Sequence, residues 1–174
     1  MATSSDFDAA VVRAMRFLGK QERTVFVGQS VWYDGARIYT TLDGVPMVKR
    51  REHPVIEDHQ LGYCTGLALG GLVPICIYPR IDFMLLAMNQ LVNHLDKAPL
   101  LWGVAPKVII RAAVGRKTPL DAGPQHTQNH TLPFRLMLTT VYVQEVRAAE
   151  EVEPAYLDAW DREGSTLIVE NQLG

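Results

Sequence analysis

Residues 54–71 read PVIEDHQLGYCTGLALGG, and this stretch decides how we interpret the fold. It places one carboxylate, Glu57, between a short apolar run and a longer run of small residues. We interpret residues 54–57 as a short strand and residues 58–72 as the helix that follows it. In open parallel sheets, ligand-binding and catalytic residues lie at the carboxyl ends of the strands, so Glu57 is a candidate functional carboxylate.

The predicted helix is unusually rich in glycine. Gly62, Gly66, Gly70 and Gly71 all fall within or at the end of it. Glycine disfavours a helix interior by roughly 1 kcal/mol per position relative to alanine. We therefore expect a thin helix whose backbone another group approaches closely.

Helix-like and strand-like segments alternate along the rest of the chain. Further strands are predicted at 24–28, 73–78, 108–113, 141–144 and 166–169, and further helices at 8–18, 83–95 and 150–162. The strands are continuous apolar runs, which is typical of a parallel sheet covered on both faces. The sequence therefore predicts an α/β fold, a three-layer sandwich with a mostly parallel central sheet. Three segments are predicted to be loops, at 29–49, 103–107 and 115–133.

The composition is that of a folded domain without a strong electrostatic field. With 174 residues and 48% hydrophobic content, residues 1–174 are expected to form a single domain. A net charge of −2 gives no reason to expect nucleic acid or a membrane surface as a partner. The polar N-terminus and the interrupted apolar runs favour a cytoplasmic location.

Two local clusters are expected to have structural roles and no binding role. The basic run Lys49-Arg50-Arg51 is expected to be solvated surface. Cys64 and Cys76 have no metal-type spacing, so both are expected to be small buried side chains.

An ordered set of motifs resembles the beta subunit of the 2-oxoacid dehydrogenase decarboxylating component, known best from pyruvate dehydrogenase, in the transketolase-like family. The matching pieces are YDGA at 33–36, PVIE at 54–57 with the glycines after it, GLVPIC at 71–76, DF at 82–83, NQ at 89–90, QHTQ at 125–128 and LIVEN at 167–171. They are collinear and extend from about residue 24 to the end. They correspond to the first half of such a subunit, the domain that binds the aminopyrimidine of thiamine diphosphate.

The resemblance implies roles for four residues. Glu57 would hydrogen-bond a pyrimidine nitrogen and so promote loss of the thiazolium proton, Phe83 would stack on the pyrimidine, and Val55 would also contact the cofactor. His126 would serve substrate binding or proton transfer near the thiazolium. Taken without the resemblance, Glu57 is a helix-terminal charge favoured by the macrodipole, Phe83 a core residue and His126 a surface-loop histidine.

The sequence also departs from the family pattern. Gln29 stands where the family usually carries an acidic residue that helps to connect paired active sites. No segment resembles the family's diphosphate motif, so the resemblance implies that a separate alpha-like subunit holds the diphosphate and Mg²⁺. We expect no metal site in this chain. The second, C-terminal transketolase-type domain is expected to be absent, and homodimers of this chain are expected to pair with the partner as a heterotetramer.

These expectations lead to three hypotheses. The first is a subunit of a split thiamine-diphosphate enzyme that decarboxylates a 2-oxo acid or transfers an acyl or ketol unit. The second is a catalytically silent scaffold or regulatory subunit of such a complex. The third, a nucleotide-binding domain of the Rossmann type, is disfavoured because no G-x-G-x-x-G follows the first strand. The sequence leaves the substrate open.

Overall fold

A parallel sheet forms the centre of the chain in the computed structural model, which describes residues 4–116 and 121–172. Within those residues the sheet has six strands in the order β2-β1-β3-β4-β6-β5. All neighbouring pairs are parallel. The strands are β1 Thr24–Gly28, β2 Arg50–Glu52, β3 Val73–Tyr78, β4 Ile109–Ala113, β5 Tyr142–Val146 and β6 Thr166–Glu170.

The inner strands are apolar because helices cover both faces of the sheet. Every residue of β3, β4 and β6 is buried, so neither face of these strands meets water. This is the condition under which continuous apolar runs replace the alternating pattern. The predicted α/β class and its parallel sheet are confirmed.

Helices form the two outer layers. The α-helices are α1 Ser4–Lys20, α2 Arg37–Thr41, α3 Glu57–Leu69, α4 Ala98–Trp102, α5 Thr131–Met137 and α6 Ala149–Asp161. Two 3₁₀ segments span Met47–Lys49 and Ile81–Ala87, and a π-helix spans Asn89–Leu95. Helices α1 and α6 pack on one face, while α3, α5 and the Ile81–Leu95 segment pack on the other. None of the helices in the described part of the chain has the length and apolar character needed to cross a membrane.

Four of the predicted segments were wrong in position or type. Residues 54–57 do not form a strand, because the edge strand is Arg50–Glu52 and α3 already begins at Glu57. Residues 83–95 do not form one α-helix but a 3₁₀ segment followed by a π-helix. Helix α2 lies within residues 29–49 and helix α5 begins within residues 115–133, and both segments were predicted to be loops.

The basic run at 49–51 is not simply solvated surface. Arg50 is 5% exposed, and its guanidinium donates to the carbonyl oxygens of Val31, Leu42 and Val45 at 3.2, 2.6 and 3.0 Å. The side chain therefore ties the segment before β2 to the loop after β1. Buried polar groups require such partners.

The strand order creates a crevice between β1 and β3. From β1 the chain proceeds to β2 on one side, and from β3 it proceeds to β4 on the other. Ligands of open parallel sheets bind outside the carboxyl ends of the strands at such a reversal. The segments that begin with Gln29 and Pro79 leave β1 and β3 at this edge.

Candidate functional site

Glu57 is a buried carboxylate at the head of α3. It is 5% exposed, and its Oε1 accepts a hydrogen bond from the side-chain amide of Gln29 at 3.3 Å. Its other carboxylate oxygen has no hydrogen-bond partner among the residues that the structure describes. Glu57 is thus a carboxylate near the sheet edge with one oxygen open to a further donor.

Two side chains fix the start of α3 against β3. The hydroxyl of Tyr78 donates to the backbone oxygen of Glu57 at 2.9 Å. The amide of Gln60 donates to the carbonyl of Ile77 at 3.0 Å. Burial, reinforced by the neighbouring Cys76, raises the pKa of Tyr78 far above its usual value, so its hydroxyl stays a donor. Cys76 and its neighbour Cys64 are both buried free thiols, as expected from the sequence.

A cavity of about 290 Å³ lies at the carboxyl edge of the sheet. Phe83 and His126 meet in its wall with their ring centroids 5.5 Å apart and their planes at 89°. This edge-to-face geometry is a favourable one for aromatic rings. The lining residues are Ser30, Ala36, Arg37, Ile38, Pro79, Arg80, Phe83, Ala122 and His126.

The structure brings together only part of the predicted site. Phe83 and His126 share the cavity, but Glu57 and Val55 are not among its lining residues. Glu57 lies beside it through Gln29, which directly precedes the lining residue Ser30. Val55 is 75% exposed on the segment before α3.

The loop that carries His126 folds tightly over the end of β4. A Cβ atom added at Gly115 would lie 1.7 Å from the carbonyl oxygen of His126. The backbone amide of His126 donates to the carbonyl of Gly123, which has a φ of +83° that glycine adopts without strain. Glycines therefore place His126 at the cavity, which the sequence pattern alone did not reveal.

Asp82 does not cap the segment that carries Phe83. No side chain caps the Ile81–Ala87 segment, and Asp82 instead accepts from the backbone and side-chain nitrogens of Gln128 at 3.4 and 3.1 Å. His130 Nε2 lies 3.6 Å from the same carboxylate oxygen. Asp82 thus ties the loop of His126 to the segment that carries Phe83. In residues 4–116 and 121–172, no group of three or more histidine, cysteine or acidic side chains is placed to hold a metal ion.

Ser30 has a strained backbone at the cavity wall. Its φ of 62° is the single positive value among non-glycine residues in the described part of the chain. The carboxylate of Glu52 accepts from the backbone amides of Ser30 and Trp32 at 2.6 and 2.8 Å and so holds the turn. Such strain clusters at ligand-binding positions. No sequence pattern predicts this strain, because it depends on the contact with Glu52 of β2.

A buried charge network adjoins the cavity beside Arg37. Arg37 pairs with Asp8 at 2.7 Å and with Glu170 at 3.0 Å, and Arg111 pairs with Glu170 at 2.7 Å. Burial raises the pKa of Glu170, but the charges of Arg111 and Arg37 outweigh it and bring the pKa to about 2. The arginine within the apolar strand sequence IIRAA was the available signal for this network.

Comparisons with known proteins identify the fold but not a family. No protein-family model matches the chain, and no curated protein matches it. Among solved structures, the chain is similar to a protein described as a split gene transketolase in an inactive beta4 tetramer, with a TM-score of 0.74 and 18% identity. The match covers 95% of this chain and 51% of the other, so this chain spans about half of that protein's length. At this identity the likeness shows the fold alone, an α/β fold with a parallel central sheet like that of the split gene transketolase.

Proposed function

We propose that this chain is the pyrimidine-binding part of a split thiamine-diphosphate enzyme, which decarboxylates a 2-oxo acid or transfers an acyl or ketol unit. One observation carries the proposal: a buried carboxylate, Glu57, lies beside a crevice whose wall holds Phe83 and His126. Open parallel sheets bind ligands at such a crevice. The likeness to a split gene transketolase supports the same class of protein.

The residues present fit one end of the cofactor. The unpartnered oxygen of Glu57 can accept a hydrogen bond from a protonated ring nitrogen, and Gln29 holds the carboxylate in place. Phe83 offers an aromatic face or edge for a flat heterocycle, and the exposed Val55 offers apolar contact before α3. When bound, thiamine diphosphate supplies a nucleophilic carbon that adds to the substrate carbonyl.

The chain's own residues then have distinct roles. Glu57 shares a proton with the pyrimidine ring and so activates the cofactor. Phe83 orients the ring and excludes water from it. His126 donates a proton or hydrogen bond to the substrate oxygen, because its ring borders the cavity.

We further propose that a separate alpha-like subunit holds the diphosphate and Mg²⁺, and that the chain pairs with itself within a heterotetramer. Large exposed apolar side chains lie on the Ile81–Ala87 segment, which carries Phe83, and on α4. They are Leu85, Leu86, Leu100, Leu101 and Trp102. Exposed apolar side chains of this size are typical of a protein interface.

A silent scaffold subunit is the alternative function. The similar solved protein is described as inactive when it is a tetramer of beta chains. Gln29 also contacts Glu57 at a position where the resemblance leads us to expect an acidic residue. A scaffold would retain partner binding but would not activate the cofactor.

Calorimetry with thiamine diphosphate tests the proposal. The chain alone should bind the cofactor weakly, and the chain with Mg²⁺ and its partner subunit should bind it tightly, since each component grips one end. Tight binding by the isolated chain would contradict the split site. Absence of binding to the assembled complex would contradict the cofactor assignment.

A further inference from the structure

The cavity wall holds an arginine, Arg80, that forms no ion pair with any carboxylate that the structure describes. Arg80 lines the cavity and is only partly exposed. Within residues 4–116 and 121–172, its guanidinium makes one hydrogen bond, from Nη1 to the carbonyl oxygen of Pro79 at 2.8 Å. No carboxylate lies within 4.0 Å of its guanidinium among the residues that the structure describes. A half-buried cation without an anionic partner is unfavourable, so the site gains free energy when an anion binds.

The other arginine of the cavity wall differs in this respect. Arg37 donates to Asp8 through two nitrogens, at 3.0 and 2.7 Å, and to Glu170 at 3.0 Å. Its donors are therefore engaged by the protein itself. Burial lowers the pKa of Arg80, and the charge of Arg37 lowers it further, with partial compensation from Asp82. Arg80 is thus the guanidinium in the cavity wall that remains open to a ligand.

Arg80 also lies close to the predicted reaction centre. A Cβ atom built at Gly115 would lie 1.7 Å from the carbonyl oxygen of His126 and 3.2 Å from Nε of Arg80. The guanidinium and the backbone of His126 therefore meet at Gly115. A small molecule in the cavity can contact Arg80 and the aromatic pair of Phe83 and His126 together.

We propose that Arg80 binds the anionic group of the substrate, so that the enzyme selects small carbonyl compounds that carry a carboxylate or a phosphate. The guanidinium offers a planar fork of donors that suits both groups. A carboxylate next to the reacting carbonyl, as in a 2-oxo acid, would place that carbonyl toward His126. This inference rests on the proposed function for the identity of the substrate, but anion binding itself can be measured without the cofactor.

The test is an NMR titration of the full chain, labelled with ¹⁵N, that follows the arginine Nε–Hε resonances. The Arg80 resonance is assigned by its absence from the Arg80→Lys spectrum. Three probes are titrated: pyruvate, inorganic phosphate and pyruvamide, which is the neutral counterpart of pyruvate. We expect a saturable shift of the Arg80 resonance with pyruvate or phosphate, and at least about tenfold weaker binding of pyruvamide, since a charge-assisted hydrogen bond contributes that much. The stronger of the two anions identifies which group the site takes.

Arg80→Gln keeps donors but removes the charge, and its affinity for the preferred anion should fall about tenfold or more. Arg80→Lys should recover part of the affinity. Arg13→Gln is the matched control, because Arg13 is an exposed arginine on α1 and should leave the affinity unchanged. The proposal would be overturned by the absence of a saturable shift with either anion, by pyruvamide binding as tightly as the preferred anion, or by full affinity in Arg80→Gln. Anion binding without cofactor binding to the assembled complex would instead reject the proposed function and leave this inference standing.

Discussion

Gly115→Ala should displace His126 from the cavity and destabilise the chain. The added Cβ atom would lie 1.7 Å from the carbonyl oxygen of His126, whereas ordinary contact begins at 3.4 Å. The obstructing atoms belong to the backbone, so the loop itself must move by roughly the missing 1.7 Å. Overpacking of this kind costs about 1–3 kcal/mol. For a chain of this length we expect the Tm to fall by about 3 to 10 °C.

Gly115→Ala should also lower the kcat of the assembled enzyme, and by a larger factor than the loss of stability alone would explain. A misplacement of about 1 Å in a catalytic site can cost about 10²-fold in rate, so we expect kcat to drop by at least that factor. Circular dichroism melting and steady-state kinetics measure the two effects. Gly66→Ala is the control, because a Cβ atom at Gly66 meets no heavy atom within 4 Å. Helix propensity should raise its Tm by about 2–4 °C. A Gly115→Ala chain with wild-type Tm and an unchanged His126 environment by NMR would refute the reasoning.

Three further predictions concern single side chains. The pKa of Glu170 lies near 2, below the usual value of a glutamate. Its ion pairs therefore contribute about 3 kcal/mol to the free energy of unfolding above about pH 4.5, and this contribution is lost as the pH falls toward 2. Urea titrations across this range should show the loss in the wild type, and the persistence of the same slope in Glu170→Gln would contradict it. Gln29→Leu removes the amide that donates a hydrogen bond to Glu57, so kcat should fall about tenfold with little change in cofactor affinity. A wild-type kcat would mean that this hydrogen bond has no catalytic role. His126→Ala should lower kcat by about 10²-fold without weakening cofactor binding, and full activity would return His126 to the role of a surface-loop residue.

The layered fold was predictable because burial leaves a strong pattern in the inner strands. The limits of β1 and β3 were predicted to the residue, since each is a largely apolar run whose carboxyl end is marked by a glycine or a proline, Gly28 and Pro79. The edge strand β2 was not predicted. Arg50–Glu52 needs only its backbone to pair with β1, so its sequence carries no apolar signal, while the apolar residues 54–56 lie in an exposed segment.

The candidate site was predictable only in part, because long-range contacts position several of its members. The family resemblance implied that Phe83 contacts the cofactor and that His126 serves the substrate, and the structure places both in one cavity wall. The roles of Arg80 and Ser30 could not be foreseen, since each depends on segments that meet only in the fold. The roles proposed for Glu57 and Val55 remain predictions.

Cofactor activation by Glu57 is the central claim, and hydrogen exchange of the cofactor tests it most directly. In the assembled complex, exchange of the thiazolium proton of bound thiamine diphosphate with deuterium is followed by quenched-flow NMR. Glu57→Gln retains shape and hydrogen-bonding capacity but cannot share a proton, so the variant should bind the cofactor while exchange slows by about 10²-fold or more. Exchange as fast as in the wild type would contradict the account and make Glu57 a helix-terminal charge in a scaffold subunit.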